Sequence, residues 1–418
     1  MAIDMTTAQS VLKEYYSGNA VKDLAYKSNP FLALVQKRTN FVGRVAPWPL
    51  RFGNPQNRSA TFTYAARVVG PSATDSSKYE DFQIRRVKNY GTAVIDGELM
   101  KVGTTDLGSF LDTATAEVNG NIMAVTNDLA LDLFGRGTGR RGVIATITPG
   151  ATTVITFVDA RDALNFEVGM NLWAALTETG AVRSAVAEVP TVVAVDRSGN
   201  SITVNADTSL YGSPWAPADS VFAAGDAPNG GAFLKVVGLD GWLPATVTPT
   251  PFFGVDRTVD VDRLGGIRYD GTGDTISEAL MEAGARLVDE SEGSPDVVLM
   301  NPRQVAALQK ELGSAVVRNR VWSPDAEAIG FDTIELHTGA GAVQVIADRN
   351  CPRGVAYMLQ LDTWTLLSAD DAPHILEEDG NMMLRLAGAD AYQVRAGYYA
   401  QLACDAPGYN CRIALPSA

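Results

Sequence analysis

The stretch that decides the fold is residues 94–142, VIDGELMKVGTTDLGSFLDTATAEVNGNIMAVTNDLALDLFGRGTGRRG. Within it Leu107, Leu111, Ala114, Val118, Ile122, Val125 and Leu129 recur at spacings of 4, 3, 4, 4, 3 and 4. That is one continuous apolar stripe at helical period, and it predicts a helix over 105–134. Thr104 or Thr105 can cap the start, and Asp106 suits the positive end of the helix dipole. Gly135 stops the helix, with Arg136, Arg140 and Arg141 near its negative end. Roughly 30 residues at ~1.5 Å each make a rod of roughly 45 Å. A single stripe suits a lone coiled coil or a spine laid on a sheet, and the strands that follow favour the spine.

On the N-terminal side, residues 1–30 carry a weak amphipathic helix with Val11, Leu12, Tyr15 and Tyr16 on one side, broken by Asn29-Pro30. An apolar cluster follows at Phe31, Leu32, Leu34 and Val35, then the Pro- and Gly-rich stretch VAPWPLRFGNPQNRS, which cannot build a helix. The segment 1–58 reads as an arm with apolar anchors. Residues 59–95 read as a long hairpin. Phe62, Tyr64, Ala66 and Val68 alternate with Thr61, Thr63, Ala65 and Arg67, GPSATDSSKYED is the polar tip, and the return strand runs from Phe82 to about Val94. A lone two-stranded hairpin is marginal in water, so it needs another surface to lie on.

On the C-terminal side the periodicity changes twice. Residues 143–240, with VIATITPGATTVITFV and TVVAVDRSGNSITV separated by turn signals, read as an all-β insertion, a small barrel or sandwich. A connection over 241–274 leads to an α/β domain over 275–380. There Thr275 and Glu278 make a capping box, strand Val297–Met300 follows, and Asn301-Pro302 starts a second helix with Val305, Leu308 and Leu312 on its apolar face. Strands near Val343–Ala347 and Val355–Leu361 complete the layer, and residues 381–418 are strand-like again.

The chain has 418 residues, 46% hydrophobic and 20% charged, enough for two to three domains with sizeable cores. MAIDMTTAQSVLKEYY has no basic segment followed by an apolar run, so it is not a signal peptide, and no stretch approaches the ~18 apolar residues a membrane span needs. A cytoplasmic start and no membrane partner are expected. Cys351, Cys404 and Cys411 lack metal-site spacing; Cys404 and Cys411 flank a turn, and in a reducing cytosol free thiols are favoured over a pair. Net charge is −14 but uneven: residues 1–103 carry +6 and the remainder −20. A basic arm of this kind seeks an acidic partner, either nucleic acid or the acidic part of a neighbouring copy.

Chemistry-bearing motifs fail in context. Gly137-x-Gly139-x-x-Gly142 matches a dinucleotide fingerprint but follows a helix instead of leaving a strand, so it reads as a helix stop and loop. Asp256, Asp260, Asp262 and Asp270 lack the alternation and closing Glu of a calcium loop, and Arg257, Arg263 and Arg268 between them point to ion pairs. His337 and His374 have no ligand-spaced partners, and Glu377, Glu378 and Asp379 read as solvated charge. No catalytic, cofactor or metal site is assigned.

The order of elements resembles the major capsid proteins of tailed bacteriophages, with the Hong Kong phage capsid fold. The resemblance is carried by FLALVQKRTNFVGRVAPWPLRFGNPQNRSATF (arm into hairpin), by residues 94–142 (spine) and by DAPHILEEDGNMMLRLAGADAYQVR (return to the peripheral domain). It implies an α+β chain with an N-arm, an extended β-hairpin loop, a spine-helix peripheral domain over 96–142, the inserted all-β domain, an α/β axial domain over 275–380 and peripheral strands over 381–418. It further implies a non-enzymatic virion protein, assembled in the host cytoplasm into hexamers and pentamers of an icosahedral head around double-stranded DNA, which it contacts non-specifically. A separate scaffolding protein (or a leader already removed), a portal and a decoration protein are the expected partners besides copies of itself. Candidate inter-subunit contacts are Phe31, Leu34, Trp48, Phe62, Tyr64, Arg85 and Arg86. Lys78 and Lys88 lie in the hairpin without any sign of crosslinking. The rival readings are an encapsulin-like nanocompartment shell, a secreted β-rich glycan-binding or hydrolytic protein, and a tail-tube or decoration protein.

Overall fold

The computed structural model describes residues 29–55, 58–62, 77–98, 107–183, 189–228, 233–291, 293–312, 318–322, 330–376 and 383–416. The expected helix over 1–28, the strand over 63–68 with Tyr64, the caps Thr104 to Asp106 and the polar turn Glu377 to Asp379 lie outside them, as do the side chains of Leu107, Leu111 and Ala114. The chain forms two compact units, residues 1–131 with 243–418, and residues 132–242.

In the first unit the apolar stripe becomes the spine helix α2, Leu107–Asp132, which follows a single-turn helix α1, Pro30–Leu34. Val118, Val125 and Leu129 are buried along one side of α2. Val118 and Ile122 pack with Ala93 of strand β4 (Val87–Asp96) and Val394 of β20 (Ala391–Cys404). β4 and β20 are paired antiparallel over ten residue pairs, from Ala391 opposite Asp96 to Ala400 opposite Val87. The approach depends on Gly91: a Cβ there would stand 2.3 Å from Asn121 Oδ1 and 2.5 Å from Val125 Cγ2. β20 also pairs with β17 (Trp364–Ser368), β18 (His374–Ile375) and β19 (Leu384–Arg385), and β1 (Gln36–Arg38) adds to β17 in parallel.

The second sheet of this unit has seven strands. Its order is β11 (Ile267–Asp270), β21 (Cys411–Ala414), β16 (Val355–Leu359), β12 (Val297–Met300), β15 (Gly341–Ala347), β14 (Gly330–Thr338) and β13 (Arg318–Trp322). Helices α3 (Ile276–Ser291) and α4 (Pro302–Leu312) cover it, burying Leu280, Ala283, Leu287 and Leu308 against Val298, Met300, Val345, Met358 and Ile413. The capping box forms as expected: Thr275 N–H donates to the Glu278 carboxylate (3.1 Å) and Glu278 N–H to Thr275 Oγ1 (3.4 Å). Glu311 of α4 adds a second cap, accepting from Ile276 and Ser277 N–H at 3.1 Å each. Asn301 accepts from Arg303 N–H at the start of α4 (3.1 Å).

Three expected boundaries change. The strand paired with β3 (Lys78–Arg85) is β2 (Val45–Gly53), inside the stretch read as arm, and Lys78 to Asp81 lie in β3, not in the tip. β17 and β18 join the peripheral sheet although 275–380 was read as axial. Conversely β21 leaves the C-terminal strands for the seven-stranded sheet. The physical reason for the last two is that the chain crosses between sheets twice, after β16 and after β20, at turns that alternation along a strand does not mark.

The second unit contains the β-rich segment. Strands β5 (Arg140–Thr148), β6 (Thr153–Phe157), β7 (Leu172–Ala175), β8 (Val192–Asp196), β9 (Ser201–Val204) and β10 (Ser220–Ala223) run in the order β7-β10-β5-β6-β9-β8 with every pair antiparallel. A bridge between Asn171 and Thr191, with Leu172 N–H to Pro190 O (3.0 Å) and Val192 N–H to Met170 O (2.9 Å), joins the two ends and closes a barrel. Ile144, Ile155, Phe166, Leu172, Ile202, Val204 and Val221 fill it, with Phe157 and Phe166 stacked at 4.8 Å. Asp162 accepts from Val143 N–H (3.1 Å), yet burial pushes its carboxyl up to about 7, aided by nearby Asp159 and opposed by Arg140 and Arg161.

Gly91→Val forces the spine helix off β4, and the expected loss is about 1–3 kcal/mol, read as a lower denaturation midpoint of the purified subunit. An unchanged midpoint contradicts the close approach. Residues 132–242 expressed alone are expected to unfold cooperatively. Asp162 binds its proton more tightly folded than unfolded, so its contribution is full below the unfolded value near 4, falls as pH rises through the window from about 4 to about 7, and is gone above it. The fragment should melt higher at about pH 5 than at about pH 8, with the difference reduced in Asp162→Asn; equal pH dependence in both proteins contradicts this burial effect.

Candidate assembly surfaces

The two prolines of VAPWPLRFG decide what β2 can be. Pro47 lies opposite Gln83 and Pro49 opposite Asp81. Gln83 N–H points away from β2 and donates to Phe253 O (2.8 Å), so the 47/83 pair is one that exchanges no ladder bonds. The missing N–H groups of Pro47 and, two residues on, Pro49 therefore fall on the outer edge of β2, where they also blunt that edge against unwanted strand addition. Side chains alternate between two faces of this ribbon. Leu50, Phe82 and Ile84 are buried on one face, where Phe82 meets Phe252 edge-on at 6.3 Å and Arg257 stacks on Phe252 at 3.9 Å. Tyr79 and Arg85 on the other face are exposed. Arg263 donates to Phe52 O (2.6 Å) where a register shift interrupts the pairing.

The candidate contacts separate along this geometry. Phe31 is fully buried in its own chain, edge-on to Trp364 at 6.5 Å, with its N–H donating to Asp348 Oδ2 (3.2 Å). It is a core residue, which corrects the expectation of an inter-subunit contact. Leu34 and Trp48 are half-buried, and Trp48 donates a side-chain hydrogen bond to Asp405, whose carboxyl burial holds above its ordinary range. Arg86 places its guanidinium 5.8 Å from the ring centres of both Phe41 and Tyr399, so its positive charge is engaged within the subunit. Arg85 projects from the exposed face, and Phe62 is 84% exposed. Sequence reasoning missed Tyr79, 63% exposed, because it lay in the stretch read as tip.

Residues that might have carried chemistry are occupied otherwise. Asp256 and Asp260 cap short turns through Thr258 and Arg263 N–H, and Asp262 pairs with Arg268 at 2.7 Å. Arg257 lays its guanidinium over the Phe252 ring, 3.9 Å from the centroid. Gly135 N–H returns to Asp132 O (2.9 Å) at the end of α2, and Arg140 opens β5, so the glycine-rich stretch is a helix stop and loop. Cys351, Cys404 and Cys411 are free and buried, and burial pushes the Cys411 thiol up to about 12. Among the described residues no cluster of three His, Cys, Asp or Glu could hold a metal, and no helix is long and apolar enough to cross a membrane. A groove of about 290 Å³ between the Leu50–Asn54 backbone, Arg263, Asp289, Glu290 and Tyr409 contains neither a histidine nor a thiol.

Residues 221–375, a little over a third of the chain, match the SU10 major capsid protein family. A search of curated protein sequences found no match. Among solved structures, the chain is similar to the cyanophage A-1(L) capsid protein at 12% identity and a TM-score of 0.52, over 96% of this chain and 97% of that one. Weaker likenesses are to the capsid of the empty GTA particle (8% identity, TM-score 0.46, 95% and 100% covered) and to the SrpI encapsulin of Synechococcus elongatus PCC 7942 (10% identity, TM-score 0.41, 99% and 96% covered). The full-length likeness shows the Hong Kong phage capsid fold, and the family match falls on the segment running from the end of the barrel through the seven-stranded sheet into the peripheral strands. The family match and the shared fold both agree with the resemblance read from the sequence, that of a tailed-phage capsid building block.

Proposed function

We propose that this chain is the major capsid protein whose hexamers and pentamers tile an icosahedral head around double-stranded DNA. The observation that carries the reading furthest is the β2–β3 ribbon, a two-stranded element with an exposed face and an exposed Phe62 beyond it. The ribbon's inner face is packed within the subunit through Phe82 and Ile84, and identical neighbours in closed rings can cover the outer one. On this reading the protein is not an enzyme. It assembles in the host cytoplasm with a separate scaffolding protein, a portal and a decoration protein, and its contact with packaged DNA is non-specific. The basic 1–103 segment and the acidic remainder favour docking of one copy on the next.

Electron microscopy of the purified chain, alone and with its scaffolding protein, tests this directly. Closed shells of uniform size are expected, and shells recovered from infected cells should contain nucleic acid. Dispersed monomers under every condition overturn the proposal, and shells filled with a protein cargo favour a nanocompartment. Arg85→Glu should lower empty-shell yield and make newly formed shells more salt-sensitive, because exposed pairs are worth about 0–1 kcal/mol each and are screened beyond roughly 8 Å. Normal empty-shell yield with altered genome packaging would assign Arg85 to DNA instead.

A further inference from the structure

Cations are scarce in the α/β part of the chain, and three of them meet at one edge. Residues 275–380 carry 18 acidic and 7 basic side chains. Arg303, Arg349 and Arg353 belong to that small basic set, and all three lie where the parallel strands β12 and β15 end. The chain leaves β12 through Asn301 into α4, and leaves β15 through Asp348 into the turn before β16. Asn301 Nδ2 donates to Cys351 O (3.0 Å) and Asp348 N–H to Met300 O (2.9 Å), which ties the two exits together. Arg303 follows Asn301 by two positions and Arg353 follows Cys351 by two. The one acid of 301–305 and 348–354 is Asp348. It is 1% exposed, and its carboxylate is turned inward, accepting from Phe31 N–H (3.2 Å) and Asn350 N–H (2.8 Å). Arg303 is exposed and Arg353 half-buried, and among the described residues neither forms an ion pair. Asn301 already accepts from the first amide of α4, Arg303 N–H (3.1 Å), so the helix adds only the positive end of its dipole.

We propose that this edge is where the subunit touches the packaged duplex, with Arg303 and Arg353 set against backbone phosphates and Arg349 beside them. The inference rests on the shell function proposed above and names the surface through which its DNA contact is made. Guanidinium groups match phosphate oxygens in geometry as well as charge. Ligands of α/β sheets gather outside the carboxyl ends of the strands, which is where these arginines stand. A protein partner is disfavoured, because a protein contact needs an apolar centre. None of the exposed large apolar residues falls within 297–312 or 343–359. Contacts of this kind read phosphates and not bases, so the binding is independent of sequence and weakens with salt.

Fluorescence anisotropy of the purified full chain with a labelled duplex of about 30 base pairs, over a series of salt concentrations, tests the contact. Arg303→Gln and Arg353→Gln should each weaken binding several-fold. Each should also flatten the dependence of log Kd on log salt by about 1. Lys310→Gln, at the other end of α4, should change neither. Arg303 is exposed, so Arg303→Glu keeps the test open where Arg353→Gln fails to fold. A double variant that binds like the unmodified chain overturns the contact, as does an equal loss in Lys310→Gln, which would mean diffuse attraction. Electron microscopy of the same variants should show normal empty shells. Loss of shells with duplex binding unchanged would make the edge a contact between subunits and overturn the proposal. Shells from an unmodified chain that does not bind the duplex at low salt remove this contact alone, whereas failure of that chain to form shells removes the shell reading on which it rests.

Discussion

The subunit depends on one buried amide. Asn410 is fully inaccessible and sits where the chain crosses between its two large sheets. Its Oδ1 accepts from Trp364 Nε1 and from Gln360 N–H, both at 2.9 Å, and its Nδ2 donates to Ala406 O (2.9 Å) and Thr363 Oγ1 (3.2 Å). Both acceptor positions and both donors of the side chain are used. Gln360 to Trp364 is the crossing from β16 to β17, and Ala406 to Asn410 is the crossing from β20 to β21. One side chain thus holds both crossings in a buried setting where an unmade hydrogen bond would cost about 1–3 kcal/mol. Aspartate would bring a charge and lose the donors, and leucine would strand the Trp364 indole.

Other elements are built outward from this joint. Trp364, held by Asn410, presents its ring to Phe31, and Asn350 donates to Asn29 Oδ1 (2.8 Å), so the chain is pinned as it enters α1. β1 then pairs with β17, and Phe41 N–H bonds Ser368 O (3.0 Å). From there β2 leaves to form the ribbon with β3, and β3 runs on through Arg86 into β4 under the spine helix. The buried contacts named here lie at the joint and under the spine, while the outer face of the ribbon, with Tyr79 and Arg85, stays exposed.

What the sequence made visible follows from which forces are local. The spine stripe, the Thr275–Glu278 capping box and the Asn301-Pro302 helix start are set by residues within a turn or two of each other, and the helix with the buried Val118, Val125 and Leu129 of its stripe, the box and the helix start all appear in the structure. The all-β unit was visible in its Val, Ile and Thr content, but its closure was not, because a bridge such as Asn171 to Thr191 leaves no periodic trace. β2 was hidden by its prolines, whose tolerance depends on which edge faces a partner. Phe31 looked like an anchor for a neighbour because its partner, Trp364, lies 333 positions away. Of the candidate contacts, Phe62 and Arg85 remain exposed, whereas Arg86 is engaged by two rings brought together only by the fold.

The central claim is that the joint is complete in the single subunit and the ribbon is completed by assembly. Amide hydrogen exchange, compared between isolated subunits and assembled shells, measures both at once. The account predicts strong and equal protection over Gln360 to Trp364 and Ala406 to Asn410 in both states, with protection over β2 and β3 rising on assembly. Exchange that slows at the Asn410 joint only in shells, with the ribbon unchanged, would contradict it.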